Sequence, residues 1–186
     1  YVELFGGGLV IIAGPRFGIS SLQGTRLADM LPVVVDRSLQ PKPSQFQLVL
    51  TPEAAGNPFV NLGDTPEENL LAWSNMGELP WYQPVLRPHP LATVLATHPT
   101  DKTVDRQQLQ PLIATRRYGK GEVVYIGFNE TWRLRKKYGE RFYRQFWGQM
   151  IYRLGLGRAL GQQKRFSPST DLTTYQTGER VTVTVE

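Results

Sequence analysis

The chain contains no cysteine and only two histidines, His89 and His98, among its 186 residues. The absence of cysteine excludes disulfide bonds, thiolate zinc sites and a cysteine nucleophile. Two histidines are too few for a multi-histidine metal site, and we predict neither a bound metal nor a cofactor. No apolar run reaches the roughly 18 residues that a membrane-spanning helix requires.

The composition is typical of a globular protein, because 40% of the residues are hydrophobic and 20% are charged. The chain begins at Tyr1 and stops within an alternating Val-Thr run at residues 181–185. We therefore expect both ends to belong to a longer polypeptide.

Apolar runs and turn residues predict an α/β fold. Residues 9–13 form a continuous apolar run, which is typical of a strand buried on both faces of a parallel sheet. A second apolar run at 123–128 predicts a central strand at 122–128. Further strands are predicted at 33–35 and 46–50, with a Pro41/Pro43 loop between them, and at 91–96 and 111–118, with a hairpin turn at 119–121. Short helices are predicted at 26–31, with Thr25 as N-cap, and at 67–73, capped by Asp64 or Thr65. The four prolines of residues 77–90 predict a long surface loop.

One segment has a strong helical period. Its apolar side chains recur on one broad face, which predicts a helix lying on the sheet and ending at Gly155 and Gly157. The predicted face is Phe142, Tyr143, Phe146, Trp147, Met150, Ile151 and Leu154.

The net charge of +5 is unevenly distributed. Residues 133–165 hold ten Lys or Arg and one acid, Glu140, so the rest of the chain is net acidic. This segment is either a surface for an anionic partner or a solvated helix face with a basic linker. No nucleic-acid motif is present, and we predict no specific nucleic-acid partner. The candidate basic patch is Arg133, Arg135, Lys136, Lys137, Arg141 and Arg144.

Two loops carry the candidate binding residues, because each follows an apolar strand and sites of open α/β sheets lie at the carboxyl ends of strands. Loop 14–18 would present glycine N–H groups and Arg16 to an anion, or it is only a tight exit from the strand. Glu130 is a candidate base, or Asn129 caps the next turn while Trp132 packs at the sheet edge. The full candidate set is Gly14, Pro15, Arg16, Phe17, Gly18, Asn129, Glu130 and Trp132.

The remaining candidates for catalysis are weak. His89 and His98 are predicted to lie in loops next to prolines, and neither has a partner nearby in the sequence. Ser20 and Ser21 lack the glycine-flanked turn that exposes a hydrolase serine. No set of catalytic residues is therefore assigned from the sequence.

Residues 1–14, 17–18, 24–33, 117–121, 124–133 and 143–147 together resemble the class I glutamine amidotransferase-like domain of large bacterial membrane proteins. The resemblance covers most of residues 1–160. It implies a flavodoxin-like layered sheet with flanking helices, incomplete at its N-terminus and followed by an immunoglobulin-like β domain. We accordingly expect an α/β domain at 1–160, a linker at 161–170 and the first strand of a β-sandwich within 171–186.

The resemblance also implies that catalysis has been lost. The family carries its cysteine on the turn that is Pro15, Arg16 and Phe17 here, and its histidine in a Phe-His-Pro-Glu pattern that here reads Phe128, Asn129, Glu130 and Thr131. An ammonia-releasing mechanism requires a thiolate and an activating base. A pseudoenzyme is therefore the first hypothesis, and an enzyme with relocated catalytic residues is the alternative.

The expected role is binding or scaffolding within a membrane-tethered bacterial protein. Its expected partners are other domains of the same polypeptide, a protein or a small anionic ligand, and membrane contact is expected only through other parts of that polypeptide. The domain itself is expected to be exported to the periplasm. A second alternative is an anionic-surface binder acting through residues 133–165.

Overall fold

The computed structural model describes residues 1–16, 18–163, 168–170 and 183–185, with side chains up to residue 155. The α-helices of this part are α1 Val2–Phe5, α2 Arg26–Met30, α3 Pro66–Ser74 and α4 Arg141–Gln163. The strands are β1 Gly8–Ile12, β2 Val33–Val34, β3 Lys42–Phe46, β4 Val49–Leu50, β5 Leu79–Tyr82, β6 Arg87–Pro88, β7 Thr93–Lys102, β8 Leu109–Tyr118, β9 Gly121–Ile126, β10 Pro168–Thr170 and β11 Val183–Val185. Short 3₁₀ helices occupy Ile19–Leu22, Pro52–Ala54 and Glu130–Arg135.

A five-stranded mixed sheet organises the chain, in the order β1-β9-β8-β7-β4. Only β1 and β9 run parallel, and the other three pairings are antiparallel. Two-stranded ladders join β2 to β6, β3 to β5 and β10 to β11. The α/β class is confirmed, whereas the parallel pairing expected for the sheet is limited to one pair of strands.

Two apolar clusters cover the two faces of this sheet. Successive residues of β9 enter opposite clusters, because side chains alternate along a strand. Val124 and Ile126 pack in the larger cluster with α3 and α4, and Tyr125 packs in the smaller one with Leu31 and Trp81. All three β9 side chains are fully buried, which confirms the predicted central position of this strand.

The strand predicted at residues 9–13 is present as β1, but the prediction that both its faces are buried was wrong. In the described part of the chain β1 has one neighbour, β9, and forms an edge of the sheet. Four of its residues are half-buried, and Ile12 is exposed.

The predicted amphipathic helix is α4, and its inner face is confirmed by the burial of Phe142, Phe146 and Met150. Ile151 was wrongly placed on that face, since it is 70% exposed. The helix also does not end at Gly155 or Gly157 but continues to Gln163, three residues into the predicted linker. A glycine inside a helix costs only about 1 kcal/mol relative to alanine and need not terminate it.

The proline-rich segments were wrongly assigned to loops. Residues 77–90 contain β5 and β6, and the predicted Pro41/Pro43 loop contains the first two residues of β3, Lys42 and Pro43. Pro43 pairs with Trp81 across a ladder of only two strands, so its missing N–H leaves no central hydrogen bond unmade. The strand predicted at 46–50 is divided between β3 and β4.

The predicted turn at 119–121 is confirmed, whereas the caps are confirmed only at α3, since neither Thr25 nor Asn129 makes a capping hydrogen bond. The 119–121 turn joins β8 to β9, with Gly119 at a φ of 59°. Thr65 caps α3, since its hydroxyl accepts a hydrogen bond from the Glu68 N–H at 3.2 Å. Most of the β domain expected at 171–186 lies outside the described residues, and the domain boundaries remain predictions.

Candidate functional site

The two predicted site loops lie at the same end of the sheet, where β1 and β9 finish. β1 and β9 are parallel and in register, with Ile12 opposite Ile126. The Ala13 N–H donates to the Ile126 carbonyl at 2.8 Å, so the chain leaves both strands at the same level. Loop 14–18 follows β1, and Asn129, Glu130 and Trp132 follow β9. We refer to these two loops as the candidate cleft.

Glu130 is held in an ion pair at this end of the sheet. Its Oε2 accepts a hydrogen bond from Arg133 Nε at 2.7 Å, and both side chains are largely buried. Trp132 is half exposed, with the Arg133 guanidinium 5.2 Å and the Lys136 ammonium 5.8 Å from its ring centre. The neighbouring cation satisfies the Glu130 carboxylate, which is unfavourable for a base that must take a proton from a substrate.

Arg16 and Asn129 make no specific contacts with these groups. Arg16 is exposed, and no hydrogen bond or ion pair joins it to Asn129 or Glu130 within the described residues. Asn129 occupies the N-cap position of the Glu130–Arg135 turn, but its side chain makes no capping hydrogen bond. Phe17 lies outside the described residues. The topology therefore brings the predicted residues to one end of the sheet without linking them into a catalytic constellation.

Gln83 contacts both loop segments, at Gly18 and at Gly127, and was missed by the sequence analysis. It is fully buried, and its backbone N–H donates to the Gly127 carbonyl at 2.8 Å, directly after β9. Its side-chain Nε2 donates to the Leu39 and Pro84 carbonyls at 3.2 and 3.1 Å. The phenol of Tyr125 donates to the Gln83 carbonyl at 3.2 Å, and burial raises the pKa of that phenol.

Gly18 lies close to Gln83. A Cβ atom at this position would lie 2.8 Å from Gln83 Oε1, so the buried amide would have to shift to accommodate any other residue. Gln83 Oε1 has no hydrogen-bond partner among the described residues. A buried amide, and not a charged side chain, therefore contacts both Gly18 and Gly127 beside the candidate cleft.

A second polar cluster joins β3, β5 and β7 away from the candidate cleft. His98 was predicted to be a surface loop residue, but it lies in β7 and is only 3% exposed. Asp101 Oδ2 lies 2.7 Å from both Lys42 Nζ and the Tyr82 hydroxyl. These hydrogen bonds lower the pKa of Asp101, and burial lowers the pKa of His98.

This cluster resembles a Ser-His-Asp triad in composition but not in geometry. His98 Nδ1 accepts backbone N–H groups from Thr100 at 3.2 Å and Asp101 at 2.8 Å, so the neutral ring carries its proton on Nε2. That protonated Nε2 faces Ser44 Oγ at 3.5 Å. A general base requires an unprotonated nitrogen toward the hydroxyl. The cluster therefore fastens β3 and β5 to β7 and is not arranged to activate Ser44.

The candidate basic patch is partly neutralised by neighbouring acids. Arg133 pairs with Glu130 at 2.7 Å, and Arg141 and Arg144 pair with Glu68 and Glu140, each at 2.6 Å. The guanidinium of Arg135 lies 3.8 Å from the ring centre of Tyr143. Three of the six predicted cations thus have acidic partners, as expected for a solvated helix face.

A surface groove of about 510 Å³ lies beside β4, the edge of the sheet opposite β1. Its lining is mainly apolar and includes Leu50, Pro52 and Leu70. This open groove and the charged residues of the candidate cleft are therefore at different places on the molecule.

No group of three or more His, Asp or Glu side chains within the described ranges is arranged to hold a metal ion.

Within the described residues, no helix is both long and apolar enough to cross a membrane. No family model matches the chain, and no curated protein matches its sequence.

Solved structures do show a similar fold. Cytoplasmic protein STM1381 from Salmonella typhimurium LT2 is 20% identical with a TM-score of 0.51, over 80% of this chain and 56% of that one. Cytoplasmic protein STM3548 from Salmonella typhimurium is 21% identical with a TM-score of 0.51, over 81% and 55%. The chain thus spans a little over half the length of these proteins, and the likeness supports a shared α/β fold.

Proposed function

We propose that this chain is an amidotransferase-like domain of flavodoxin-like layering that has lost catalysis and acts as a binding or scaffolding module. The observation that carries the proposal is the state of the candidate cleft. The parallel pair β1 and β9 brings both loops to the same end of the sheet, as a strand-end site requires, but the predicted set contains no cysteine, serine or threonine. The only carboxylate in the predicted set, that of Glu130, is paired with Arg133.

The candidate cleft has groups that can bind a small anion even without catalysis. Arg16 is exposed and has no acidic partner among the described residues, so its guanidinium is available to a carboxylate or phosphate group. Loop 14–18 adds backbone N–H groups of glycine at the end of a strand. A small anion bound there would meet donors without encountering a reactive side chain.

We further propose that the domain belongs to a membrane-tethered bacterial protein and contacts other domains of that polypeptide. The support is the sequence resemblance alone. The two Salmonella proteins of similar fold are described as cytoplasmic, which argues against the exported location that the resemblance favours.

The relocated-enzyme alternative and the anionic-surface alternative receive less support. Ser44 and His98 are the nearest approach to a relocated catalytic pair, and the tautomer of His98 is wrong for that role. The anionic-surface alternative is weakened by the acidic partners of Arg133, Arg141 and Arg144.

The experiment has a catalytic arm and a binding arm. Ammonia release from L-glutamine and hydrolysis of a p-nitrophenyl ester are measured for the wild type and Glu130→Gln, and we expect no turnover by either. Binding of L-glutamate and inorganic phosphate is followed by amide NMR, with shifts expected at Gly14, Gly18 and Asn129.

Arg16→Ala should abolish these shifts, while Arg26→Ala, which removes another exposed arginine, should leave them intact. Turnover that is lost in Glu130→Gln would establish the enzyme alternative. Shifts that survive Arg16→Ala would show that the candidate cleft is not the binding site.

A further inference from the structure

The groove beside β4 is formed by one continuous stretch of the chain. Its walls come from residues 50–70, which run from the end of β4 through the Pro52–Ala54 turn into α3. Its volume of about 510 Å³ lies within the roughly 300–1,000 Å³ typical of sites for small molecules. We call it the β4 groove, whose lining includes Leu50, Pro52, Ala55, Asp64, Asn69 and Leu70.

Backbone hydrogen bonds hold the walls of the β4 groove in place. The Thr51 N–H donates to the Leu95 carbonyl at 3.1 Å, which ties the beginning of the stretch to β7. Further along, the Ala54 N–H donates to the Thr51 carbonyl at 3.1 Å, and the Asn57 N–H donates to the Ala54 carbonyl at 3.0 Å. The groove is therefore formed before a ligand arrives, and binding does not have to order this loop.

A buried amide in the lining lacks a hydrogen-bond acceptor. Asn69 is only 9% exposed and lines the β4 groove. Its Oδ1 accepts the Leu62 N–H at 2.8 Å, which fixes the orientation of the amide. Its Nδ2 has no partner among the described residues, although buried polar groups normally have one. An oxygen atom of a ligand in the groove would supply the missing acceptor.

The charge around the β4 groove is negative. Between Lys42 and Arg87 the sequence contains no Lys or Arg but five acids. Only one of these acids, Glu68, has a cationic partner in the described part of the chain, with Arg141 Nη2 2.6 Å from its Oε1. Such a surface attracts cations and repels anions.

One of the unpaired acids, Asp64, lines the groove itself. Its side chain is exposed and makes no hydrogen bond or ion pair with another described residue. The cap of α3 is the neighbouring Thr65, whose hydroxyl accepts the Glu68 N–H, so the Asp64 carboxylate is not used for capping. This carboxylate is therefore available to a cation in the groove.

We propose that the β4 groove binds a small organic amine that has an apolar body, an ammonium group and an oxygen atom. The apolar body lies against Leu50, Pro52 and Leu70. The ammonium group pairs with Asp64, and the oxygen accepts a hydrogen bond from Asn69 Nδ2. A wholly apolar ligand would leave both polar groups without partners, and an anion would be repelled by the carboxylates.

Amide NMR titration of the whole chain with tyramine tests the proposal, because tyramine carries an aromatic ring, an ammonium group and a phenol oxygen. We expect saturable shifts at Leu50, Ala55 and Asn69, with a dissociation constant below about 1 mM. Phenethylamine lacks the oxygen and should bind about three- to tenfold more weakly. The anion p-hydroxyphenylacetate, of similar size, should not bind.

Two pairs of variants locate the site. Leu70→Lys should weaken tyramine binding by at least about tenfold, because it places a cation in the lining. Leu71→Lys is its matched control, since Leu71 is also exposed on α3 but does not line the groove. Asp64→Asn should weaken binding by about three- to tenfold. Glu67→Gln removes an exposed acid outside the lining and should have a smaller effect.

The inference does not depend on the proposed function of the candidate cleft, because the two sites are at different places. Circular dichroism and thermal unfolding establish that each variant is folded, and all four changes are at exposed side chains. The proposal is overturned by an absence of saturable shifts up to about 5 mM tyramine, by shifts confined to the candidate cleft, or by equal binding of p-hydroxyphenylacetate. Equal effects of Leu70→Lys and Leu71→Lys also overturn it, and equal effects of Asp64→Asn and Glu67→Gln overturn the role of Asp64.

Discussion

Replacing Gln110 by leucine should remove an internal link that holds the segment between β5 and β6 to the sheet. Gln110 lies in β8 and is 2% exposed. Its Oε1 accepts the Val85 N–H at 3.1 Å, and its Nε2 donates to the Val85 and Lys102 carbonyls, each at 3.2 Å. The side-chain amide thus pairs with both backbone groups of Val85, as a neighbouring strand would.

The expected loss of stability follows from the backbone groups that Gln110→Leu leaves without hydrogen-bond partners. Val85 is fully buried, so its N–H and carbonyl cannot recover water when the amide is removed. An unsatisfied buried polar group costs about 1–3 kcal/mol, whereas the exposed Lys102 carbonyl is resolvated. Burial of the apolar leucine side chain offsets part of this cost, and we expect the free energy of unfolding to fall by about 2–4 kcal/mol. This is a large share of the roughly 5–15 kcal/mol by which a domain is stable.

Urea unfolding, followed by tryptophan fluorescence and by circular dichroism, measures the loss. The free energy of unfolding should fall with an unchanged denaturant slope. Gln107→Leu is the control, because Gln107 is exposed and its side chain makes no hydrogen bond to any other described residue. A loss below about 1 kcal/mol, equal to that of the control, would refute this account of Gln110.

Three further predictions concern the histidine cluster, the core and the turns. The folded-state pKa of His98 is below the unfolded value of about 6.5, so the unfolded chain takes up the proton first and stability should fall as the pH drops through 6.5. His98→Asn, whose amide oxygen can accept the same N–H groups, should flatten thermal stability between pH 7.5 and 5, and an unchanged slope would contradict this. Phe146→Ala should cost about 3–5 kcal/mol in urea unfolding and Ile151→Ala less than about 0.5, since only Phe146 is buried. Gly119→Ala should lower the melting temperature more than Gly139→Ala. Both have positive φ, but only at Gly119 would a Cβ meet the backbone of Glu3, and equal effects would argue against that contact.

Local patterns predicted the elements whose structure depends on local chemistry. The Gly119 turn, the Thr65 cap and the buried face through Phe146 follow from backbone conformation, side-chain capping and helical period. Ile151 fits the same period but is exposed, because it packs in neither apolar cluster. How much of an apolar helical face the sheet covers is not encoded in the helix itself.

Contacts between residues distant in the sequence determined the features that local patterns did not predict. Residues 77–90 form strands because β2 and β3 pair with them, and no local period signals a partner more than thirty residues away. Gln83 gave no signal in the sequence, although it contacts Gly18 and Gly127, which follow β1 and β9 along the chain. His98 was predicted to lie on the surface, but tertiary packing buries it and fixes its tautomer.

The candidate cleft shows the same division. Composition by itself removed the cysteine nucleophile, and the apolar runs placed Arg16 and Glu130 after two strands. Only the tertiary structure made those strands adjacent and parallel, and only it paired Glu130 with Arg133. A sequence determines which chemical groups are available, whereas the chain's packing determines which of them meet, because that depends on strand neighbours chosen across the whole chain.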